Sequence, residues 1–219
     1  VYVALGDKGL PKAVGADGST ITLEGGGVFR MRPDATQLEI VSHGIRNNMD
    51  VALDQFDNIF TFDNDDDYGW WMRVIHHVPT GYYGYPYDYR SHRNPFLPPV
   101  GEFGSGTACG GACYREAAWP AEYQGNAFFC DWGESKIERY TLTKKGASFE
   151  AQVDDFMLGD GSGDFRPIDL CFSPDGKHMY VADWNQAGGG MRDQAGRLFR
   201  VTYVGDEVPP EPARAADAD

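Results

Sequence analysis

The chain has 219 residues, 42% of them hydrophobic, enough for a packed core and too many for wholesale disorder. Its 19 Lys+Arg against 33 Asp+Glu give a formal charge of −14. That balance argues against coating nucleic acid or docking on anionic membrane, both of which need a basic face. No apolar stretch approaches the length of a membrane span.

With 28 Gly, 13 Pro and 30 aromatic residues, the composition favours many short strands separated by turns. The first strand is read at Val1-Tyr2-Val3-Ala4-Leu5, so the chain opens inside structure and reads as a fragment of something longer. Next comes a hairpin that repeats. Arg46 to Asp63 and Arg166 to Asp183 both run Arg, Asp, apolar strand, tight turn, apolar strand, Asp. Asp50 and Asp169 stand 119 residues apart, and Tyr123 to Trp132 is a partial copy between them. The turns at Asp54–Asn58 and Ser173–Lys177 carry hairpin chemistry.

A second strand type recurs at Val28–Met31, Ile137–Tyr140 and Leu198–Val201. Its arginines, Arg30, Arg139 and Arg200, repeat at one position and read as structural. Four-stranded units repeated in this way predict an all-β protein, a β-propeller holding about three to four blades. A β-sandwich is the runner-up, although it does not predict the repeat. Residues 1–203 are assigned to the propeller, and the acidic Pro/Ala-rich residues 204–219 to a tail or linker.

Four cysteines are too few for a disulfide scaffold. Cys109 and Cys113 are open to a local disulfide, free thiols or a metal, while Cys130 and Cys171 sit in apolar runs and read as buried. His76 and His77, adjacent on a strand, point to opposite faces and cannot share one metal. The aromatic stretch Tyr82–Tyr89 reads equally as a sugar-stacking wall or as a loop closing the propeller top. The acidic run Asp63-Asn64-Asp65-Asp66-Asp67 offers hard oxygen ligands at close spacing, and its mutual repulsion is relieved by a cation. It is not an EF-hand, because Tyr68 and Val74 stand where that loop needs Gly and Glu.

Several stretches, in order along the chain, resemble the soluble PQQ-dependent sugar dehydrogenases, the glucose/sorbosone dehydrogenase family. They are Leu5-Gly6-Asp7-Lys8-Gly9, Gly26-Gly27-Val28-Phe29-Arg30, His43-Gly44-Ile45-Arg46-Asn47, Asp63-Asn64-Asp65, Gly81–Pro86, Pro120–Gly125, Cys130-Asp131-Trp132-Gly133, Phe165-Arg166-Pro167-Ile168-Asp169 and Ala182-Asp183-Trp184. The resemblance implies part of a six-bladed propeller, extracytoplasmic (periplasmic or secreted), that oxidises a sugar-like hydroxyl with pyrroloquinoline quinone (PQQ) and calcium. By it, Arg46 is the catalytic arginine facing the quinone, Asn47 contacts the cofactor, Arg166 pairs with a cofactor carboxylate, and Asp63, Asp65, Asp66 and Asp67 hold calcium. It also implies a cytochrome c domain or protein as a possible electron acceptor, and another chain possibly completing the ring.

The sequence departs from the family in three places. Met49 stands where a glutamine contact is expected, and the cofactor lysine expected near Gly133 is missing, with Lys136 the nearest candidate. The catalytic histidine is expected upstream of the stretch matching Val1-Tyr2-Val3, outside this chain. These departures keep two other readings open: a non-catalytic binding or assembly propeller, and a calcium-dependent lactonase-type propeller. Arg46 and Arg166 have a structural alternative as well, pairing with an Asp of a neighbouring blade.

Overall fold

The computed structural model describes residues 1–66, 70–162, 164–184 and 196–205. The described residues form strands, turns and one short 3-10 turn, with no α-helix among them. The strands fall into four successive sheets, the blades of a β-propeller, with one hairpin set aside.

In the first blade β1 (Tyr2–Leu5), β4 (Gly26–Arg30) and β5 (Glu39–Ile45) pair antiparallel. The hairpin of β2 (Leu10–Val14) and β3 (Thr20–Leu23) is inserted between β1 and β4. The second blade runs β6 (Ala52–Leu53), β7 (Ile59–Asp63), β8 (Arg73–His77) and, after a long excursion, β10 (Gly101–Glu102). That excursion lays β9 (Gly81–Tyr82) parallel along β5, strapping the second blade to the first. The third blade is an unbroken meander of β11 (Ala108–Cys113), β12 (Ala127–Asp131), β13 (Lys136–Lys145) and β14 (Ser148–Leu158). The fourth contains β15 (Pro167–Phe172), β16 (His178–Asp183) and β17 (Arg197–Thr202).

The two repeated hairpins are therefore the first and second strands of blades 2 and 4. Their turns form as the sequence requires. Asp54 Oδ1 accepts from the Phe56 and Asn58 amides at 2.8 and 2.9 Å. In the fourth blade Ser173 Oγ accepts from the His178 amide at 3.0 Å, and Gly176 takes the positive φ of 68° that the turn demands.

Side chains alternate across each sheet, so one strand feeds two cores. From β12, Phe129 joins Phe60, Phe62, Val74 and Tyr140 between blades 2 and 3. Phe128 and Cys130 turn the other way, toward Leu170, Met179 and Val181 between blades 3 and 4. A smaller cluster of Val28, Val41 and Ile59 joins blades 1 and 2. Burial of a Phe or Leu in such a core contributes roughly 1.5–3 kcal/mol, so the interblade layers carry the fold.

The histidine pair separates as strand geometry predicts. His77 is buried toward blade 1, its Nδ1 2.6 Å from Ser42 Oγ and its Nε2 2.7 Å from Thr61 Oγ1. His76 turns toward blade 3, with Nδ1 3.1 Å from Ser148 Oγ and its ring against Phe60 and Phe149. Burial depresses the His77 pKa to about 3 and keeps the ring neutral.

All four cysteines are free. Cys109 and Cys113 enter different cores on opposite sides of β11, which removes the local-disulfide alternative. Cys130 is buried, but Cys171 is exposed, contrary to the expectation from its apolar neighbours. Residues 206–219, most of the expected tail, lie outside the described residues.

Candidate functional site

One end of the propeller is built by a device used three times. The last residue of the second strand in blades 2, 3 and 4 is a buried aspartate, Asp63, Asp131 or Asp183. Each carboxylate accepts from a backbone N–H just ahead of its own blade's first strand. Asp63 takes Arg46 at 3.3 Å and Asn47 at 2.7 Å, Asp131 takes Thr107 at 2.9 Å, and Asp183 takes Arg166 at 2.5 Å. A carboxylate holding backbone amides fixes the path of that segment, and therefore the origin of the side chains it carries. Arg46 and Arg166 thus occupy equivalent places two blades apart, with Thr107 between them.

Arg46 and Asn47 are half-buried at this end. The Asn47 side chain lies against Gly6, where a Cβ would overlap it, and the backbones of Gly6 and Asn47 form a β-bridge. Tyr85 reports the charge around Arg46. Burial and the Asp7 carboxylate hold its phenol up, Arg46 pulls it down, and Asp66 and Asp63 act in the same sense as Asp7. Arg46, Asp7, Asp63, Asp66 and Tyr85 therefore share one neighbourhood. Arg166 is used differently. Its Nη1 donates to the Trp132 and Gly133 carbonyls, both at 2.7 Å, and its guanidinium lies 4.8 Å from the Trp132 ring centre.

The acidic run is divided. Asp63 is fully buried, and the Arg73 guanidinium meets its Oδ2 through Nη2 at 2.5 Å and Nε at 3.1 Å. Asp65 accepts from the Gly106 amide at 3.3 Å, and Asp66 lies 3.9 Å from Arg90. Asp67 lies outside the described residues. No three His, Cys, Asp or Glu groups converge on a metal-sized point among the described residues. The described carboxylates of this run do not fit a calcium cradle, since a cation already neutralises the deepest of them and the others turn to separate partners.

Asp131 carries no role in the sequence reading and stands out in the structure. Its Oδ2 is buried without a hydrogen-bond partner, and burial raises its pKa, with Glu138 adding to the rise. Gly106 packs so close that any Cβ there would overlap the carboxylate. Lys136, the candidate for the missing cofactor lysine, sits opposite Asp131 in the strand register but sends Nζ to Glu138 at 2.6 Å and Asp155 at 3.5 Å. A sequence signal existed: Cys130-Asp131-Trp132 ends a strand as Ala182-Asp183-Trp184 does.

The first strands of blades 2 to 4 converge toward the axis. Asp169 on β15 lies near enough to Asp50, which precedes β6, to feel its charge, and packs on Gly110 of β11, which has no room for a side chain. Burial, then the Asp50 charge, pushes the Asp169 pKa up to about 6. The tyrosine stretch is mostly a strap. Tyr83 is buried with its hydroxyl on the His76 carbonyl, Tyr82 donates to Asp88 at 2.7 Å, and Tyr87 donates to Glu24.

No curated protein matches the sequence. Among solved structures, the chain is similar to the PQQ-bound form of an aldose sugar dehydrogenase from Streptomyces coelicolor, at 19% identity and a TM-score of 0.64. That match covers 91% of this chain and 57% of the other. A glucose dehydrogenase is matched at 20% identity and a TM-score of 0.64, over 93% of this chain and 60% of that one. The chain thus spans about three fifths of the length of these structural relatives. At such identities the likeness establishes the fold, a β-propeller of the kind these dehydrogenases use. A family model covers residues 1–187, and the chain belongs to the family described as a domain of unknown function, DUF7133.

Proposed function

We propose that this chain is the larger part of an extracytoplasmic sugar- or alcohol-oxidising propeller that binds PQQ at the end carrying Arg46, Asn47 and Arg166. The observation that carries the reading is the Arg46–Asn47 segment, held by Asp63 beside Tyr85, in a fold shared with a PQQ-bound aldose sugar dehydrogenase. The donor chemistry fits a polyanionic quinone, since a guanidinium and an amide side chain stand on a backbone fixed by a buried carboxylate. Bound there, PQQ would supply a two-electron acceptor for the hydride of a carbinol carbon, while the hydroxyl proton would pass to a general base, the histidine expected outside this chain. Arg46 would stabilise the oxygen on which negative charge grows, and Asn47 would orient the same group. Arg166, with Nη1 committed to two carbonyls, sets the Trp132–Gly133 turn and offers the rest of its fork to a carboxylate. The substrate, an electron-accepting cytochrome and any completing chain belong to the whole protein.

The test is equilibrium binding of PQQ to the purified chain, followed by quinone absorbance, beside sugar oxidation by the full-length parent with a dye acceptor. Saturable binding that weakens at least about tenfold in Arg46→Ala is expected, a loss of roughly 1.4 kcal/mol. Absence of PQQ binding to both chain and parent would overturn the reading. It would favour the binding-module alternative, to which the diversion of Lys136 toward Glu138 already lends weight.

A further inference from the structure

Beside the candidate face, the long β8–β10 excursion and the segment entering β8 enclose an open cleft of about 420 Å³. Its walls are aromatic: Trp70, Trp71, Tyr89 and Phe96, with Pro98 and Pro99 at one side. Arg90, His92 and Glu102 supply polar groups. Trp71 is 52% exposed, and its ring pairs with no other among the described residues. Trp70 is 8% exposed, wedged edge-on against Tyr89 at 4.8 Å and Tyr85 at 5.9 Å between ring centres. Its indole N–H is buried with no acceptor.

Two features of this cleft run against stability. A large indole face is left in water, and a buried donor is left without a bond. The first is relieved by a ligand with a flat apolar face and hydroxyl groups at its edge. The cleft is also stiff. Tyr89 is clamped between the Arg73 guanidinium, 4.1 Å from its ring centre, and Glu102, which accepts its hydroxyl. Phe96 lies tilted against both Tyr89 and His92. Rigid aromatic walls keep the entropic cost of binding low.

We propose that this cleft is a carbohydrate-binding subsite in which a neutral sugar ring stacks on Trp71 and hydrogen-bonds the polar rim. Sugar C–H faces pack on indole and phenol rings, while hydroxyls both donate and accept. They match a rim that holds an acceptor, Glu102, alongside Arg90 and His92. A proline-rich segment would satisfy the rings but offers no N–H to Glu102. The net charge of −14 disfavours acidic sugars. Trp70 packs on Tyr85, and Arg73 lies on Tyr89 while holding Asp63, the carboxylate that fixes the Arg46–Asn47 backbone, so a chain of sugars held here would lead toward the candidate site. The subsite stands on the cleft alone and needs no quinone.

The experiment titrates the quinone-free protein with cellotetraose, maltotetraose and xylotetraose, with glucose, xylose and decaproline as comparators. Tryptophan fluorescence and calorimetry give the readout. One tetrasaccharide should bind saturably and more tightly than its monosaccharide, and at least about tenfold more weakly to Trp71→Ala. Trp71→Phe should recover part of the loss, and Trp184→Ala, at an exposed tryptophan away from the cleft, should leave binding unchanged. The exposure of Trp71 makes an unchanged melting temperature the expected control; if Trp71→Ala melts lower, Trp71→Phe becomes the deciding variant. Binding of no tetrasaccharide, equal binding by Trp71→Ala, or displacement of bound sugar by decaproline would each overturn the proposal. Because PQQ is absent throughout, failure here and failure of the quinone reading are read separately.

Discussion

Blades 2 and 3 place the same acid at the same point and treat it differently. In blade 2, Asp63 faces Arg73 in the β7–β8 register; in blade 3, Asp131 faces Lys136 in the β12–β13 register. Both aspartates are fully buried, and both hold backbone amides at the start of their blade's first strand. Arg73 turns inward, and its fork reaches Asp63 and, through Nη1, the Tyr83 carbonyl at 2.9 Å. Lys136 turns away to buried Glu138 and to Asp155, leaving Asp131 Oδ2 alone. The blade 4 pair, Asp183 with Arg197 at 2.6 Å, follows blade 2. A planar guanidinium presents donors in two directions at once, whereas an ammonium on a flexible stem follows the strongest local field, here a second carboxylate one turn of the pleat away.

Breaking the blade 2 pair should have the largest effect. Arg73→Met removes the only described side-chain cation on Asp63 while leaving the carboxylate buried, so stability should fall by roughly 3–5 kcal/mol. Urea unfolding measures it, and a loss below about 1 kcal/mol would mean that Asp63 reaches water or another partner in the variant. The same variant should disturb Tyr89, on which Arg73 lies, and so weaken the aromatic cleft as well.

The matching change in blade 3 should be far smaller. Asp131→Asn strands no cation and keeps one oxygen for the Thr107 and Glu134 amides, so a cost under about 1 kcal/mol is expected. Its signature lies in pH. Burial raises the folded pKa of Asp131 above its unfolded value, so the folded state binds this proton more tightly than the unfolded chain does. The stability linked to it is fully present below the ordinary aspartate range and is lost as pH rises through the raised value. Wild type minus Asp131→Asn should therefore decline as pH rises from the ordinary aspartate range, in paired denaturation curves. A flat difference would show that Asp131 is solvated in solution.

This contrast also marks how far the sequence could be read. The repeat from Arg46 to Asp63 and from Arg166 to Asp183 was legible because the strands and turns of one hairpin are set by neighbours in sequence. The propeller follows from that repeat. The fate of Asp63 was not legible, because its partner Arg73 arrives from the next strand in a register that no local pattern fixes. An acidic run therefore read as a cation site, although its deepest member already has a cation. Asp131 was hidden for the complementary reason, since a lysine at the matching register gives no sign that it turns away. The cleft had no local signal either: Trp70-Trp71, Tyr89 and Pro98-Pro99 meet only because the β8–β10 excursion folds back on the second blade.

The smallest and sharpest test converts blade 3 toward blade 2. In Lys136→Arg the longer, forked head has donors for both Glu138, which Lys136 now holds, and Asp131, which faces it across the strands. If geometry alone separates the two blades, the variant gains under about 1 kcal/mol, because ordering the longer side chain offsets much of the new pair. Its pH profile should move toward that of Asp131→Asn, since a guanidinium beside Asp131 lowers the pKa that burial raises. If the variant is instead neutral with an unchanged profile, Glu138 and Asp155 hold the cation whatever its shape. The bare carboxylate of blade 3 would then be a consequence of the acids on β13 and β14, with the choice of Lys over Arg irrelevant to it.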